Sequence, residues 1–355
     1  MKHLFTILLT LFSFYASGYA QKPFKVVFYN LENFFDLEND PDVLDDEFTP
    51  EGPKKWTKDK YDKKLSNIEK VFFDIAAINK DYPAVIGVCE IENRNVLEDI
   101  VATQKLSPAN YRIVHYDSPE LRGVDAAFMY RPDVLKLEGS KAIRTVIPSL
   151  PDFKTRDIVT MWGKIDQEDF FFMVAHWPSR LGGKEASALR RIAVGNQMRH
   201  IADSVRALRP STKVVMMGDF NDDPTDESIS GEKGIGAKIK VKEVTPADYY
   251  APFAALLKAG YGTLAYGDAW NIFDNIVVSG NLINEDKDQL KLKKTDNSKF
   301  YGHIFKRHYM VQKEGQFKGY PLRTYVGNNF QGGFSDHFPV YIYIGCLLYT
   351  SDAAD

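Results

Sequence analysis

The sequence predicts an α/β sandwich of four layers, two packed mixed β-sheets flanked by helices on their outer faces. Three observations carry that expectation. Strand-like runs recur along the chain, several of them almost wholly apolar, as strands covered on both faces are. Two intervening stretches repeat their apolar residues at helical spacing. No internal repeat and no long Pro/Gly/Ser-rich linker divides the chain, so these elements share one domain. Of 355 residues, 44% are hydrophobic and 26% charged, a globular composition that rules out disordered, collagen-like and coiled-coil chains.

The two ends stand apart from this pattern. Met1-Lys2-His3 precedes the apolar stretch Leu4 to Tyr15, and Gly18-Tyr19-Ala20 supplies a small-x-small site. That is the layout of a secretory signal peptide over residues 1–20, cleaved after Ala20, and the stretch is too short for a stable membrane span. Export to the periplasm or the medium is expected. Cys346 to Asp355 resembles the in-frame translation of a transposon-end sequencing adaptor, so residues 346–355 are expected to be an artefact tail without packing. The folded domain is then 21–345. Setting both ends aside takes 45 basic residues to 44 and 48 acidic residues to 46, a net charge of −2. No global basic field of the kind that drives non-specific nucleic-acid binding exists. Only Cys89 remains, which excludes a disulfide framework.

In chain order, strands are expected at Phe24–Tyr29, Ala84–Cys89, Val124–Tyr130, Asp157–Ile165, Phe170–Ala175, Lys213–Met217, Asn275–Val278 and Phe338–Ile344. One helix is expected where Leu65, Ile68, Phe72, Ile75 and Ile78 share a face. A second is expected on Leu189, Ile192, Ile201, Val205 and Leu208, stopped by Pro210. Arg180, Arg190, Arg191, Arg199, Arg206 and Arg209 form a basic run there, most of it read as a solvated helix face. Leu37–Lys60 and Asn281–Gly319 are charged interruptions, expected as solvated loops or added hairpins.

Five of these runs end in, or start from, a residue that binds metals or moves protons. Tyr29 leads into Asn30 and Glu32, Cys89 into Glu90, and Ala175 into His176. Gly218 leads into Asp219, with Asn221 two residues on, and Ser335-Asp336-His337 introduces the last strand. Strand ends are where loops gather and where layered α/β proteins place their sites. One such residue alone is an ordinary turn former. Five oxygen or imidazole groups together point to a single polar centre.

Tyr29-Asn30-Leu31-Glu32-Asn33, Cys89-Glu90-Ile91-Glu92, Gly218-Asp219-Phe220-Asn221, Phe273-Asp274-Asn275-Ile276 and Ser335-Asp336-His337-Phe338-Pro339-Val340 follow in that order. The series resembles the endonuclease/exonuclease/phosphatase superfamily, which includes deoxyribonuclease I, exonuclease III, sphingomyelinases and inositol polyphosphate 5-phosphatases. The resemblance spans Lys25 to Ile344. His176-Trp177-Pro178-Ser179-Arg180, followed by Gly182-Gly183, is more similar to an exported bacterial-type branch than to the repair enzymes.

The resemblance implies a metal-dependent phosphoric ester hydrolase of nuclease or phosphodiesterase type. Such chemistry needs an in-line water, a base or orienter for it and stabilisation of phosphoryl charge. By resemblance, Asn30, Glu32, Glu90 and Asp336 would be metal ligands, and oxygen donors suit a hard ion such as Mg²⁺ (or Mn²⁺). Asp219 would activate the water, and Asn221 would hold it or a phosphate oxygen. His337 would contact the phosphate with Asp274 fixing its tautomer, and His176 would face the leaving group. Where the family often carries a Tyr near the phosphate, this chain has Arg122-Gly123-Val124-Asp125, which makes Arg122 a candidate phosphate ligand. Arg180, in the loop after His176, and Arg190, on the following helix, are two more. For Arg180 the competing partners are Asp222 and Asp223. The leading expectation is hydrolysis of phosphodiester bonds in extracellular nucleic acid. The alternatives are a phosphatase or lipid phosphodiesterase acting on small or membrane-presented phosphoesters, and a non-catalytic binding module. Retention of Glu90, Asp219 and His337 argues against the last. The partner expected is the substrate itself, with a monomeric protein.

Overall fold

The computed structural model describes residues 22–283, 289–295 and 297–346; the expected signal peptide at 1–20 and the tail beyond Cys346 lie outside them. One sheet comprises β1 (Phe24–Phe34), β2 (Val85–Ile91), β3 (Arg112–His115), β4 (Asp125–Tyr130), β13 (Lys291–Lys293), β14 (Gly302–Ile304) and β17 (Val340–Gly345). Its order is β13-β17-β1-β2-β4-β3, with β14 also paired to β17. The second sheet comprises β5 (Leu135–Ile143), β6 (Ile158–Ile165), β7 (Glu168–His176), β8 (Lys213–Asp219), β9 (Tyr249–Tyr250) and β12 (Asp274–Ser279), in the order β5-β6-β7-β8-β12-β9. Two small hairpins, β10–β11 (Leu264–Tyr266, Ala269–Asn271) and β15–β16 (Tyr325–Val326, Asn329–Phe330), stand outside the sheets.

Each sheet contains one parallel pair, and each pair is joined by a crossover helix, the connection that parallel strands require. α1 (Lys58–Ala77) lies between β1 and β2, and α3 (Lys184–Leu208) between β7 and β8. Period-2 alternation then builds the layers. Val26, Phe28 and Phe128 face Phe172, Val174, Val215, Met217 and Ile276 between the sheets. Val27, Tyr29, Ile86 and Val88 point the other way, onto Ile68, Val71, Phe72 and Ile75 of α1. Phe171, Met173, Val214 and Met216 point onto Val194, Met198 and Ala202 of α3. The sheets meet most closely at Gly87, where a Cβ would lie 2.5 Å from the Met217 sulfur. The expected four-layer sandwich is present.

Several expectations need correction. β1 continues to Phe34, β2 to Ile91 and β8 to Asp219, so the polar residues that seemed to follow these strands belong to them. β3, the edge strand β5 and the helix α2 (Arg94–Ala102) were not expected; β5 reads Leu-Lys-Leu-Glu-Gly-Ser-Lys-Ala-Ile, too polar to stand out as a buried run. On α3 the expected apolar face is only partly right: Ile201 and Val205 pack at the edge of the core. Leu189 and Leu208 are 69% and 86% exposed, and the buried stripe is Ser187, Arg191, Val194, Gly195, Met198 and Ala202. Small residues let the helix sit close, since a Cβ on Gly195 would come within 2.3 Å of the Ser228 carbonyl oxygen. Arg191, expected on a solvated face, is fully buried and donates to Ser187 Oγ (2.8 Å) and the Lys184 carbonyl (3.0 Å). Of the two interruptions, the first buries Trp56, whose indole donates to the Phe35 carbonyl. The second contributes β13 and β14 to the edge of the first sheet.

Candidate active site

The inward-facing rows do not stop where the apolar core does. Val26-Phe28-Asn30 on β1, Phe172-Val174-His176 on β7, Val215-Met217-Asp219 on β8 and Ile276-Asp274 on β12 each step by two residues to a polar side chain at one edge of the sandwich. Register aligns them: His176 is opposite Asp219 on β7/β8, and Asp219 is opposite Asp274 on β8/β12. Glu90 breaks this parity and needs a bulge. The β2 pairing slips between Cys89 and Ile91, and Glu90 takes a φ of 59°, which swings its carboxylate out of the ladder toward Asn30. Glu32, Asn33 and Asn221 also have positive φ, at 51°, 50° and 51°. Non-glycine residues held there cost energy and gather where geometry serves a site.

A continuous hydrogen-bonded chain links these groups. The Asn30 side-chain amide donates to Asp219 Oδ2 (3.0 Å) and Glu90 Oε1 (3.2 Å). The Asn33 backbone N–H donates to Glu90 Oε2 (2.9 Å), and that of Asn221 to Asp219 Oδ1 (2.9 Å). Ser335 Oγ donates to the Asn30 carbonyl and accepts from the His337 N–H, fixing the last loop against β1. His337 Nδ1 lies 2.7 Å from Asp274 Oδ2, and His337 Nε2 lies 3.8 Å from Asp219 Oδ2. His176 Nε2 is 3.5 Å from Asp219 Oδ2 and 3.8 Å from Glu90 Oε1.

The electrostatics separate the two histidines. Burial opposes an imidazolium at His337, but Asp274 and Asp219 outweigh it and hold the pKa well above its ordinary value. Its Nδ1 proton goes to Asp274, which leaves Nε2–H aimed at the pocket. His176 is driven well below its ordinary value by burial and then by Arg156 and Arg122, so it stays neutral. Burial pushes the Asp219 carboxyl up to about 7, against the pull of His337.

Glu90, His176 and Asp219 bring ligand atoms within 4.8 Å of one another. Among the described residues no Lys or Arg forms an ion pair with Glu90 or Asp219, and the His337 imidazolium that lies 3.8 Å from Asp219 is shared with Asp274. That donor set fits a hard divalent cation.

Two expected metal ligands are placed elsewhere. Glu32 accepts from the Thr324 backbone N–H and from Arg323 Nε (3.4 Å), and Asp336 Oδ2 accepts from Arg323 Nη2 (2.6 Å). The segment entering β15 thus supplies both carboxylates with a cation of the chain's own. Arg180 is likewise committed, with Nη2 at 3.1 Å from Asp222 and 3.0 Å from Asp226, and Nε donating to the Asn221 carbonyl (2.8 Å). It braces the turn after β8 and does not line the cavity above Asp219. Arg122 and Arg190 do line it, in a cavity of 420 Å³ that also includes Glu90, His176, Asp219, Asn221 and His337.

The same cavity contains Glu120, Phe153, Lys154, Thr155 and Arg156, none of them expected. The available signal was the polar start of β6. That strand is antiparallel to β7, so its first residues lie at the edge where β7 delivers His176.

The profile of the endonuclease/exonuclease/phosphatase family matches residues 25–345. The chain belongs to that family. Its members are metal-dependent phosphoester hydrolases, and this chain is an enzyme of that kind. No curated protein is similar enough in sequence to count as a match. Among solved structures, a family member from Bacteroides thetaiotaomicron is 17% identical with a TM-score of 0.54, covering 95% of this chain and 100% of its own. A mannosyl-6-phosphatase from Bacteroides thetaiotaomicron is 16% identical with a TM-score of 0.54, covering 90% and 99%. TDP2 from D. rerio, complexed with a single-strand DNA product, is 13% identical with a TM-score of 0.52, covering 91% and 99%. Identities this low establish the shared fold. Among the described residues no helix is long and apolar enough to cross a membrane.

Proposed function

We propose that the protein is an exported phosphoesterase that uses Mg²⁺ or Mn²⁺ to hydrolyse phosphodiester bonds, with nucleic acid as the leading substrate class and the substrate as its main partner. The observation that carries this reading is the chain of hydrogen bonds from Asp274 through His337, Ser335 and Asn30 to Asp219 and Glu90 at one edge of the sandwich.

Glu90, with Asn30 beside it, would hold the cation, which when bound neutralises phosphoryl charge and polarises the P–O bond. Asp219 accepts the proton of the attacking water. Its orientation is fixed by the Asn221 N–H and the Asn30 amide, and burial makes it more basic than an ordinary aspartate. Asn221 is held by its own bond to the Trp177 carbonyl (3.0 Å) and presents its amide oxygen toward that water. His337 donates its Nε2 proton to a phosphoryl oxygen, and Asp274 keeps it protonated and pointed. His176, neutral and beside Asp219, meets the leaving-group side as a hydrogen-bonding partner.

A second reading, a phosphatase on small phosphoesters, is favoured by one observation: the 420 Å³ cavity is the size of a small-molecule site. The deciding experiment assays the mature protein on plasmid DNA, RNA, bis-p-nitrophenyl phosphate and p-nitrophenyl phosphate with Mg²⁺, Mn²⁺ or EDTA. Metal-dependent cleavage of the diesters is expected. Turnover of the monoester alone selects the second reading, and turnover of none overturns both.

A further inference from the structure

The cations around the cavity fall into two groups. Arg180 and Arg191 are consumed by the aspartates of the turn after β8, and Arg122 Nε pairs with Glu120 at 3.1 Å. Lys154 and Arg190 have no such partner, and Arg156 only shares Glu120 with Arg122, at 3.7 Å. Among the described residues neither Lys154 nor Arg190 forms an ion pair, and the guanidinium of Arg190 lies over the Phe153 ring, 5.3 Å from its centroid. Arg156 is the telling member. It is 8% exposed, its Nε is buried without a hydrogen-bond partner, and its nearest carboxylate, Glu120, is 3.7 Å away. A buried guanidinium is costly unless its donors are satisfied, and this one opens into a cavity wall.

The position of these groups separates them from the reacting phosphoryl group. That group is served by His337, Asn221 and the carboxylate pair, all on the ends of β2 and β8 or in the turns beside β8 and β17. Lys154 and Arg156 come from the segment before β6, and Arg190 comes from α3. Three further positive charges exceed what one phosphodiester monoanion balances. We infer that Lys154, Arg156 and Arg190 form a second anion subsite, and that the substrate carries a second phosphate next to the one attacked. This rests on the phosphoesterase reading and narrows its substrate class. The planar forks of Arg156 and Arg190 suit bidentate contact with phosphate oxygens, and Lys154 adds an exposed point charge at the mouth.

Equilibrium binding tests this without requiring turnover. Thymidine 3′,5′-bisphosphate and thymidine 5′-monophosphate are titrated by calorimetry into the wild-type protein with Ca²⁺ present. The bisphosphate is expected to bind at least about tenfold more tightly. Arg190→Ala and Arg156→Gln should each remove most of that ratio, and Arg190→Ala guards against misfolding of the buried variant because Arg190 is only half-buried. Fructose 1,6-bisphosphate against fructose 6-phosphate separates the sources of the second phosphate. A gain confined to the nucleotides assigns a neighbouring phosphate of a strand, and a gain confined to the sugars assigns a small bisphosphate. Equal binding of both members of both pairs overturns the subsite. An unchanged ratio in both variants overturns its assignment to these residues. A preserved ratio in a protein that cleaves no phosphoester refutes the catalytic reading and leaves the subsite standing.

Discussion

The two walls of the cavity are built differently. On one, His176 and Asp219 are ends of paired strands fixed by register to each other, with Asp274 and Asn30 packed behind them. On the other, Arg122, Lys154, Arg156 and Arg190 come from two connecting segments and a helix. The strand wall continues a packed core and is rigid to the extent that the core is. The cationic wall is held by fewer contacts and is free to differ in reach and charge. Reaction chemistry therefore sits on the part of the fold that cannot drift, and substrate choice on the part that can.

That contrast is open to tests of decreasing size. Asp219→Asn removes the proton acceptor and keeps the shape but only one of the two bonds accepted from the Asn221 N–H and the Asn30 amide, so kcat on bis-p-nitrophenyl phosphate should fall by about 10³–10⁴. Its melting temperature should move little; a variant that unfolds would show that Asp219 holds the strands together. Asp274→Asn should cost about 10²–10⁴ in kcat, because an amide no longer holds His337 protonated at Nε2 and Nδ1 together. A phosphate-binding role for His337 predicts an accompanying rise in KM, which steady-state kinetics reads directly.

Arg180→Ala sharpens the comparison from the cationic side. It removes the cation shared by Asp222 and Asp226 and leaves them Arg191 and Lys184, so stability should fall by about 1–2 kcal/mol in urea unfolding. The ratio of KM values for an oligonucleotide and bis-p-nitrophenyl phosphate should stay constant; a selective rise for the oligonucleotide would return Arg180 to the substrate. The smallest effect is expected at His303, on β14, far from either wall. Burial lowers its pKa from the ordinary 6.5 to about 4. The unfolded chain then binds the extra proton between those values, so His303 costs stability progressively as pH falls from about 6.5 to about 4. His303→Phe keeps the stack on Tyr341 and removes the titration. Its melting temperature should drop less than that of the wild type between pH 7 and pH 5, and parallel drops would show that His303 is solvated.

What the sequence made legible follows the same division. Asn30, His176, Asp219 and His337 were marked by polar residues breaking apolar strands, a local signal at each position, and Asp274 by the family resemblance alone. Glu90 was marked too, although the bulge that turns it inward was not. Lys154 and Arg156 lie before a strand, and a basic residue there reads as solvated unless the antiparallel order of β6 and β7 is known. Glu32 and Asp336 were read without Arg323, which reaches both from the segment before β15, nearly three hundred residues along from Glu32. On α3, Val194, Met198 and Ala202 meet the sheet while Leu189 and Leu208 face water, so its most apolar residues did not mark the packed face.

The step of two that runs from the core into the site also governs which changes of length the chain can absorb. Inserting one residue in β8 between Val215 and Asp219 would turn the carboxylate out to the α3 side and bring a core side chain to the cavity in its place. Inserting two would restore the facing but lengthen the strand past its partners on β7 and β12. The strands that bear the catalytic residues are thus closed to insertion and deletion alike, as though read in a frame. The segments at 37–45 and 312–319 lie outside the paired strands and carry no such frame, and added length there costs only the slow logarithm of loop closure. Growth of this protein by added sequence is directed to those places, and the site inherits its constancy from a constraint on facing that operates before any selection for activity.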